Sequence, residues 1–304
     1  MATEIALGQA GLLKPGRFRW ARALAWLVVL AVLCILAFNV AADSSLRVSA
    51  LLSGQPFVDR AHAPHMARLI AVIAGSIGML AVYALAVRLG ERRTPGEISL
   101  WRFAPDLIIG VLIGGALIAM IVGIMWAAHW VTVAPAPITH VMESLKEAVQ
   151  SGVIEETLMR LVIFRLLWRA TSVWPAFILT AVLFGALHLS NPDATPFSAL
   201  CLVAGEGVGA GLYLLTGRVW MSIGMHAGWN FMQGWVFGAA VSGLGVFAGG
   251  PLQTHPVAGT SDILSGGGFG PESSAASLGV SLLASIVCLA LAWRSGRMKS
   301  PAEV

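Results

Sequence analysis

The chain of 304 residues is 57% hydrophobic, only 11% of its residues are charged, and its formal net charge is +4. A soluble globular domain carries about a quarter charged residues, so this composition excludes an ordinary soluble fold and indicates a membrane protein. The basic residues lie in short groups at the ends of apolar segments, where lipid headgroups would meet them, and this argues against nucleic-acid binding.

Several apolar segments are long enough to cross the hydrocarbon core, about 30 Å thick, which takes roughly 17 to 25 helical residues. In chain order they cover approximately residues 21–42, 69–89, 107–131, 149–168, 173–189, 197–215, 219–240 and 277–293. We therefore predict an all-α fold, a polytopic transmembrane helical bundle of about eight helices, in a single membrane domain that spans residues 1–304.

The orientation follows from the positive charges, because short loops rich in Lys and Arg stay on the cytoplasmic side. Lys14, Arg17 and Arg22 accompany the start of the first segment, which is too long for a signal peptide and should be retained. Placing the N-terminus inside puts most basic residues in the cytoplasm, including Arg165. An even number of helices then makes both termini cytoplasmic.

The preference for Arg over Lys is typical of a GC-rich bacterial genome, so we expect the bacterial inner membrane.

The longest segment between predicted helices covers about residues 241–276. It is rich in Gly and Ser, contains three prolines and has no Lys or Arg. These features predict an external loop. The loop is either a flexible connector or a flap near the entrance of a site.

The fourth segment contains Glu155, Glu156 and Arg160, and charges at membrane depth are costly enough to mark chemistry or transport. Successive helical residues turn by about 100°, so Glu156 and Arg160 share one face, whereas Glu155 points about 140° away from Arg160. Burying Glu156 and Arg160 as a hydrogen-bonded ion pair costs far less free energy in a low-dielectric environment than burying either charge alone. Glu155, left without a helical partner, becomes the better proton acceptor. The alternative is a packing network of all three residues with no catalytic member.

Two later segments supply further polar side chains. His188 closes the fifth segment one turn after Phe184, and His226 and Asn230 are four residues apart in the seventh, so the last two can face one interior point. Together with Glu155 they provide a base, two imidazoles and an amide. Such a set can activate a water and stabilise an oxyanion, with or without a metal.

Three stretches of the chain resemble motifs of the CPBP family: EExxxR at residues 155–160, FxxxH at 184–188 and HxxxN at 226–230. This family comprises type II CAAX prenyl endopeptidases and bacteriocin-processing or abortive-infection membrane proteins. Each motif alone is common, but three in this order on separate predicted helices are specific. The resemblance covers about residues 145–230, and the Gly-rich run at 266–272 looks like the loop that often follows.

The resemblance implies a role for each motif residue. Glu155 and His188 would activate the hydrolytic water, His226 and Asn230 would bind the tetrahedral oxyanion, and the remaining two residues would hold the helix. The implied catalytic set is therefore Glu155, Glu156, Arg160, His188, His226 and Asn230. The family-like catalytic core would extend over about residues 140–295.

Metal dependence is left open by the resemblance, because family members have been described both as metalloproteases and as metal-independent glutamate proteases. The chain has no HExxH sequence, the usual zinc-protease signature. If a divalent metal such as zinc binds, its ligands would be His188, His226 and Glu155, with a position open for water.

We expect an intramembrane endopeptidase that acts on a peptide or lipidated-protein substrate, either a CAAX-type or a peptide-maturation protease. One alternative is a proton-coupled transporter, in which buried Glu and His relay protons, although the sequence has no matching halves. Another is a non-catalytic membrane scaffold.

Glu206 lies in a Gly-rich run of the sixth segment, where packing explains the glycines but not the acid, so it either lines the cavity or serves packing. The oligomeric state is not predicted.

Overall fold

The computed structural model describes residues 5–299, and most of these residues are helical. The α-helices are α1 Arg19–Ser53, α2 His65–Ala86, α3 Phe103–Ala127, α4 Val141–Glu156, α5 Arg165–Ala170, α6 Val173–Leu187, α7 Pro196–Thr216, α8 Trp220–Phe231, α9 Asp262–Ser265 and α10 Ala275–Arg294. This architecture agrees with the predicted all-α class.

Three segments among the described residues are π-helical: Val87–Glu91 after α2, Thr157–Phe164 between α4 and α5, and Met232–Val236 after α8. In a π-helix each N–H bonds the carbonyl five residues earlier, which widens the helix, and such segments occur frequently at functional sites. The second segment joins α4 and α5 into one unbroken helix. Two of the three helices that contain the predicted motifs therefore contain a widened stretch.

The surface of the bundle is strongly apolar. Six helical stretches are long and apolar enough to cross a membrane: Arg19–Ser53, His65–Glu91, Gly96–Ala127, Val173–Ser190, Pro196–Thr216 and Ala275–Arg294. Large apolar side chains on them are exposed, for example Leu52 at 85% and Leu283 at 65%. Soluble proteins do not expose apolar surface on this scale, so the protein is an integral membrane protein.

Two of the predicted membrane segments, residues 149–168 and 219–240, are helical but do not belong to these six stretches. The first is rich in charged residues and the second is shorter than predicted. Both contain motif residues. The number of eight transmembrane helices and the cytoplasmic placement of both termini therefore remain predictions.

Close backbone contacts fix α8 against α3. A Cβ added at Gly114 would lie 1.9 Å from the backbone oxygen of Met225, and one at Gly228 would lie 2.4 Å from that of Val111. Only glycine permits such an approach, as at other tight helix crossings in membranes. The helix that contains His226 and Asn230 is thereby held by its neighbour.

The predicted external loop is a folded structure. The third predicted segment was expected to run to about residue 131, but α3 ends at Ala127 and strand β1, Val131–Pro135, follows. It pairs antiparallel with β2, Leu252–Pro256, so that Val131 lies opposite Pro256. This pairing was not predicted, because strand partners far apart in sequence leave no local signal. Whether the loop is a connector or a flap near the entrance of the site stays a prediction.

Candidate active site

A cavity of about 340 Å³ lies between α4, α6, α7 and α8. The residues predicted from the three motifs all line it: Glu155, Glu156, Arg160, His188, His226 and Asn230. The structure therefore brings together side chains that are up to 75 positions apart in the chain, counted from residue 155 to residue 230. Val241 and Ser242 from the folded loop also belong to the cavity wall.

Glu155 lies between the two histidines. Its Oε2 atom is 3.9 Å from His188 Nε2 and 3.7 Å from His226 Nε2. The same oxygen is buried and has no hydrogen-bond partner among the described residues. Buried carboxylate oxygens normally accept hydrogen bonds, so this oxygen is a free acceptor that faces two imidazole nitrogens across the cavity.

His188 is oriented by the residue one helical turn before it. Its Nδ1 atom lies 2.8 Å from the backbone oxygen of Phe184, and the two rings are 4.6 Å apart between centroids. A hydrogen on Nδ1 donates to this carbonyl, which leaves the lone pair of the neutral ring on Nε2, toward Glu155. The Phe184 ring also lies 6.2 Å from the His226 ring. The FxxxH spacing thus has a physical reason, since Phe184 supports both imidazoles.

Arg160 is enclosed by two carboxylates. Its Nε donates to Glu156 Oε2 at 2.8 Å, and its Nη1 donates to Glu206 Oε1 at 2.5 Å. The predicted pairing of Glu156 with Arg160 is confirmed. Glu206 lines the cavity and also binds Arg160, so both interpretations of this residue apply. A Cβ at position 209 would lie 2.4 Å from Arg160 Nη2, so Gly209 leaves the room that the guanidinium occupies.

Glu156 has a second partner that the sequence did not indicate. Its Oε1 lies 3.1 Å from His226 Nδ1, so a hydrogen on Nδ1 donates to this carboxylate. The contact turns His226 Nε2 toward Glu155. A carboxylate that holds the far nitrogen of an imidazole also stabilises the imidazolium form. Glu156 therefore does more than hold its helix, because it connects Arg160 to His226.

Asn230 is positioned by a serine that sequence reasoning missed. Its Nδ2 donates to Ser151 Oγ at 2.8 Å, and only 6% of the Asn230 surface is exposed. Ser151 lies four residues before Glu155 and lines the same cavity. The spacing of four residues could have indicated that Ser151 faces the cavity with Glu155, since residues four apart share a helix face. One of the two Nδ2 hydrogens of Asn230 remains for a ligand in the cavity.

Residues 137–232 match the family model described as Type II CAAX prenyl endopeptidase Rce1-like. This stretch is Rce1-like. The match contains all three motifs and confirms the resemblance to the CPBP family that the sequence predicted. Comparison with curated proteins and with solved structures gave no match. The Rce1-like stretch covers α4 to α8 and therefore supplies four helices that surround the cavity.

Glu272 lines the cavity from outside the Rce1-like stretch and was not predicted as a site residue. It is the last residue of the Gly-rich run at 266–272, and its Oε1 accepts hydrogen bonds from Ser242 Oγ at 2.8 Å and Ser242 N at 2.5 Å. Its Oε2 accepts from Trp229 Nε1 at 3.2 Å. Burial raises the pKa of Glu272, although the Ser242 hydrogen bonds oppose this shift. Glu272 thus fastens the loop to α8 beside Asn230.

The metal set predicted for the Rce1-like site consists of suitable donor types, His188, His226 and Glu155. Within residues 5–299, however, no three His, Cys, Asp or Glu side chains lie in a geometry that could hold a metal ion. Whether a divalent metal joins His188, His226 and Glu155 stays a prediction.

Proposed function

We propose that the protein is an intramembrane endopeptidase that hydrolyses a peptide bond of a peptide or lipidated protein in or near the bilayer. One observation carries the proposal: Glu155 Oε2 is buried without a hydrogen-bond partner and faces the Nε2 atoms of His188 and His226. A carboxylate kept free of partners in a polar cavity is suited to take a proton. The Rce1-like match supports the choice of a protease.

Glu155 and His188 would activate the attacking water. Their facing atoms are 3.9 Å apart, too far for a direct hydrogen bond but close enough for one water to contact both at about 2.8 Å. The water donates one hydrogen to Glu155 Oε2 and the other to the lone pair on His188 Nε2. Its oxygen lone pair is then free to attack the scissile carbonyl. A positioned base of this kind contributes about 10² to 10⁴-fold to the rate.

His226 and Asn230 would stabilise the oxyanion that this attack creates. Glu156 favours the imidazolium form of His226, whose Nε2 then carries a hydrogen toward the cavity. Asn230 offers the Nδ2 hydrogen that Ser151 does not use. Each donor of an oxyanion hole is worth about 3 kcal/mol of transition-state stabilisation.

The protein groups also account for the proton that the water loses. Glu155 holds this proton while the new C–O bond forms, and it returns the proton to the amide nitrogen as the C–N bond breaks. The products are a carboxylic acid and an amine, and Glu155 is again a carboxylate. Arg160 and Glu206 act as positioning residues, since Arg160 donates hydrogen bonds to both Glu156 and Glu206 and thereby holds Glu156 against His226.

The experiment that tests this function uses full-length protein in proteoliposomes with an internally quenched lipidated peptide. We expect cleavage by wild type, no cleavage by His188→Ala, and normal cleavage by His255→Ala, which alters an exposed histidine outside the cavity. Flux of protons without cleavage would favour the transporter instead. Folded wild type that neither cleaves nor transports would favour the scaffold.

Elemental analysis of the same protein, purified without added metal, tests separately whether zinc or another divalent metal is present.

A further inference from the structure

A second cavity, of about 470 Å³, lies at the end of the bundle where α1 begins and α10 ends. Its wall combines residues before α1, the end of α5 and the residues after α10. The members that matter for its chemistry are Leu7, Trp168, Arg169, Leu214 and Lys299. Basic and apolar side chains therefore share one concave surface with the Glu91 carboxylate, whose two oxygens already accept hydrogen bonds from Trp26, Arg93 and Arg165.

Arg169 is the central cation of this cavity, and only 3% of its surface is exposed. Its one hydrogen bond within residues 5–299 runs from Nη2 to the backbone oxygen of Leu13, at 2.6 Å. Its Nε is buried and has no hydrogen-bond partner in the part of the chain that the structure describes, and the same holds for Trp168 Nε1 beside it. No carboxylate in the described part of the chain pairs with Arg169. A buried guanidinium without an anion is unfavourable.

Other positive charges act on the same place. Burial, together with the charges of Arg19 and Arg22, lowers the pKa of the Arg169 guanidinium. Arg22 itself donates to backbone oxygens, including that of Leu12 at 3.0 Å. Arg165, one turn earlier on the same helix, differs clearly, because it makes two hydrogen bonds to the Glu91 carboxylate. The positive charge around Arg169 thus lacks the internal compensation that Arg165 has.

We propose that this cavity binds the phosphate group of an anionic phospholipid, with Arg169 as the principal ligand and Lys299 at the exposed rim. A guanidinium binds phosphate oxygens in pairs, and basic pockets between membrane helices accept such headgroups. Inorganic phosphate offers the same oxygens. The lipid is favoured because Leu7 and Leu214 line the cavity and because α1 begins with exposed apolar side chains, Trp20 at 56% and Leu24 at 38%.

The site is independent of the proposed protease activity, so it is tested by binding. Full-length protein in detergent is titrated with phosphatidylglycerol, phosphatidylcholine or inorganic phosphate and followed by native mass spectrometry and by the thermal unfolding midpoint. We expect phosphatidylglycerol to bind saturably and to raise the midpoint, whereas phosphatidylcholine and phosphate leave it unchanged. Arg169→Gln should weaken phosphatidylglycerol binding at least tenfold.

Two further variants keep the test decisive. Lys299→Gln changes an exposed side chain at the rim and should weaken binding by a few fold even if Arg169→Gln does not fold. Arg88→Gln removes an exposed cation that does not line the cavity and should bind as wild type does. Equal binding of the two phospholipids, or wild-type affinity in both cavity variants, would overturn the proposal. Saturation by inorganic phosphate alone would replace the lipid by a free anion.

Discussion

Two buried charge clusters of similar composition lie in this protein, and they differ in how completely their carboxylates are satisfied. In the cluster of Glu91, Arg93, Glu97 and Arg165, both oxygens of each carboxylate accept hydrogen bonds. In the candidate active site, Glu155 Oε2 accepts none within the described residues. Burial of charge is therefore not what distinguishes the candidate active site. The distinguishing feature is a carboxylate oxygen left free beside a cavity.

The difference has an energetic meaning. Arg165 is fully buried, and its two Nη atoms contact Glu91 at 2.7 and 2.8 Å, so that cluster compensates its own charges. Such a cluster is costly to break, but it has no free acceptor for a substrate. Glu155 Oε2 has no hydrogen bond to lose within the described residues, so we expect Glu155 to contribute little to folding and to be available for proton transfer. Variants in the two clusters should therefore separate activity from stability.

The largest effect is expected for Glu155→Gln. Cleavage of the quenched lipidated peptide should fall by about 10² to 10⁴-fold, because the amide cannot take the proton from water. The unfolding midpoint should stay within a degree or two of wild type, since Oε2 has no hydrogen bond to lose. Retention of more than a tenth of the wild-type rate would remove Glu155 as the base.

Arg165→Gln should show the opposite behaviour. Loss of the guanidinium removes two hydrogen bonds and one of the two compensating charges from the buried Glu91 carboxylate, so stability should fall by about 3 to 5 kcal/mol. The cleavage rate per folded molecule should remain near that of wild type. Reversible denaturant titration measures the first quantity and active-site counting the second. Arg88→Gln, an exposed change on the π-helical extension of α2, serves as the control.

Glu272→Gln tests whether the loop is fastened to the cavity. Its Oε1 accepts two hydrogen bonds from Ser242, and weakening them should lower local stability by about 1 to 3 kcal/mol. Hydrogen exchange of residues 241–247 should accelerate accordingly, and cleavage should slow by less than the effect of Glu155→Gln. The exposed Asp262→Asn in the same loop should exchange as wild type does. Equal exchange in the two variants would argue against this fastening.

The smallest effect concerns Glu143 at the start of α4. Burial alone would raise its pKa, but hydrogen bonds with Lys146 and His65 and the charge of Lys146 hold the pKa below its usual range. Because the folded-state pKa is the lower one, this stabilisation is complete above the unfolded-state pKa of about 4.3 and is lost as the pH falls through the folded-state value. Wild type should therefore exceed Glu143→Gln in stability at neutral pH and approach it in acid. A constant difference across this pH range would contradict the prediction.

Local spacing predicted the parts of the site that lie within single helices. The pairing of Glu156 with Arg160 and the shared face of His226 and Asn230 follow from helix geometry alone. The cluster that contains Glu91 and Arg165 was not predicted, because Arg165 was counted among the cytoplasmic charges. Its partner Glu91 is 74 residues away, and hydropathy does not encode such a contact.

The same limit applies to two further cavity residues. Glu206, which the sequence left as either a cavity or a packing residue, and Glu272, which was not predicted, reach the cavity because α7 and the folded loop pack around it, and each accepts a hydrogen bond from another element. The strand pairing of β1 with β2 joins residues more than a hundred positions apart. Only the fold decides which distant segments meet, whereas spacing within a segment is set by the helix itself. The resemblance of the three motifs supplied the order of the helices around the site but no contact outside them.

The glycine contacts between α3 and α8 bear on how sequence variation in this protein would be interpreted. Alanine at Gly114 would press against the backbone of Met225 and Trp229 and push α8 away from α3, and with it the His226 imidazole. A deep mutational scan scored only by turnover would therefore flag a position that touches neither water nor substrate. Scoring the same library for abundance in the membrane would separate such scaffold glycines from the groups proposed to perform the hydrolysis.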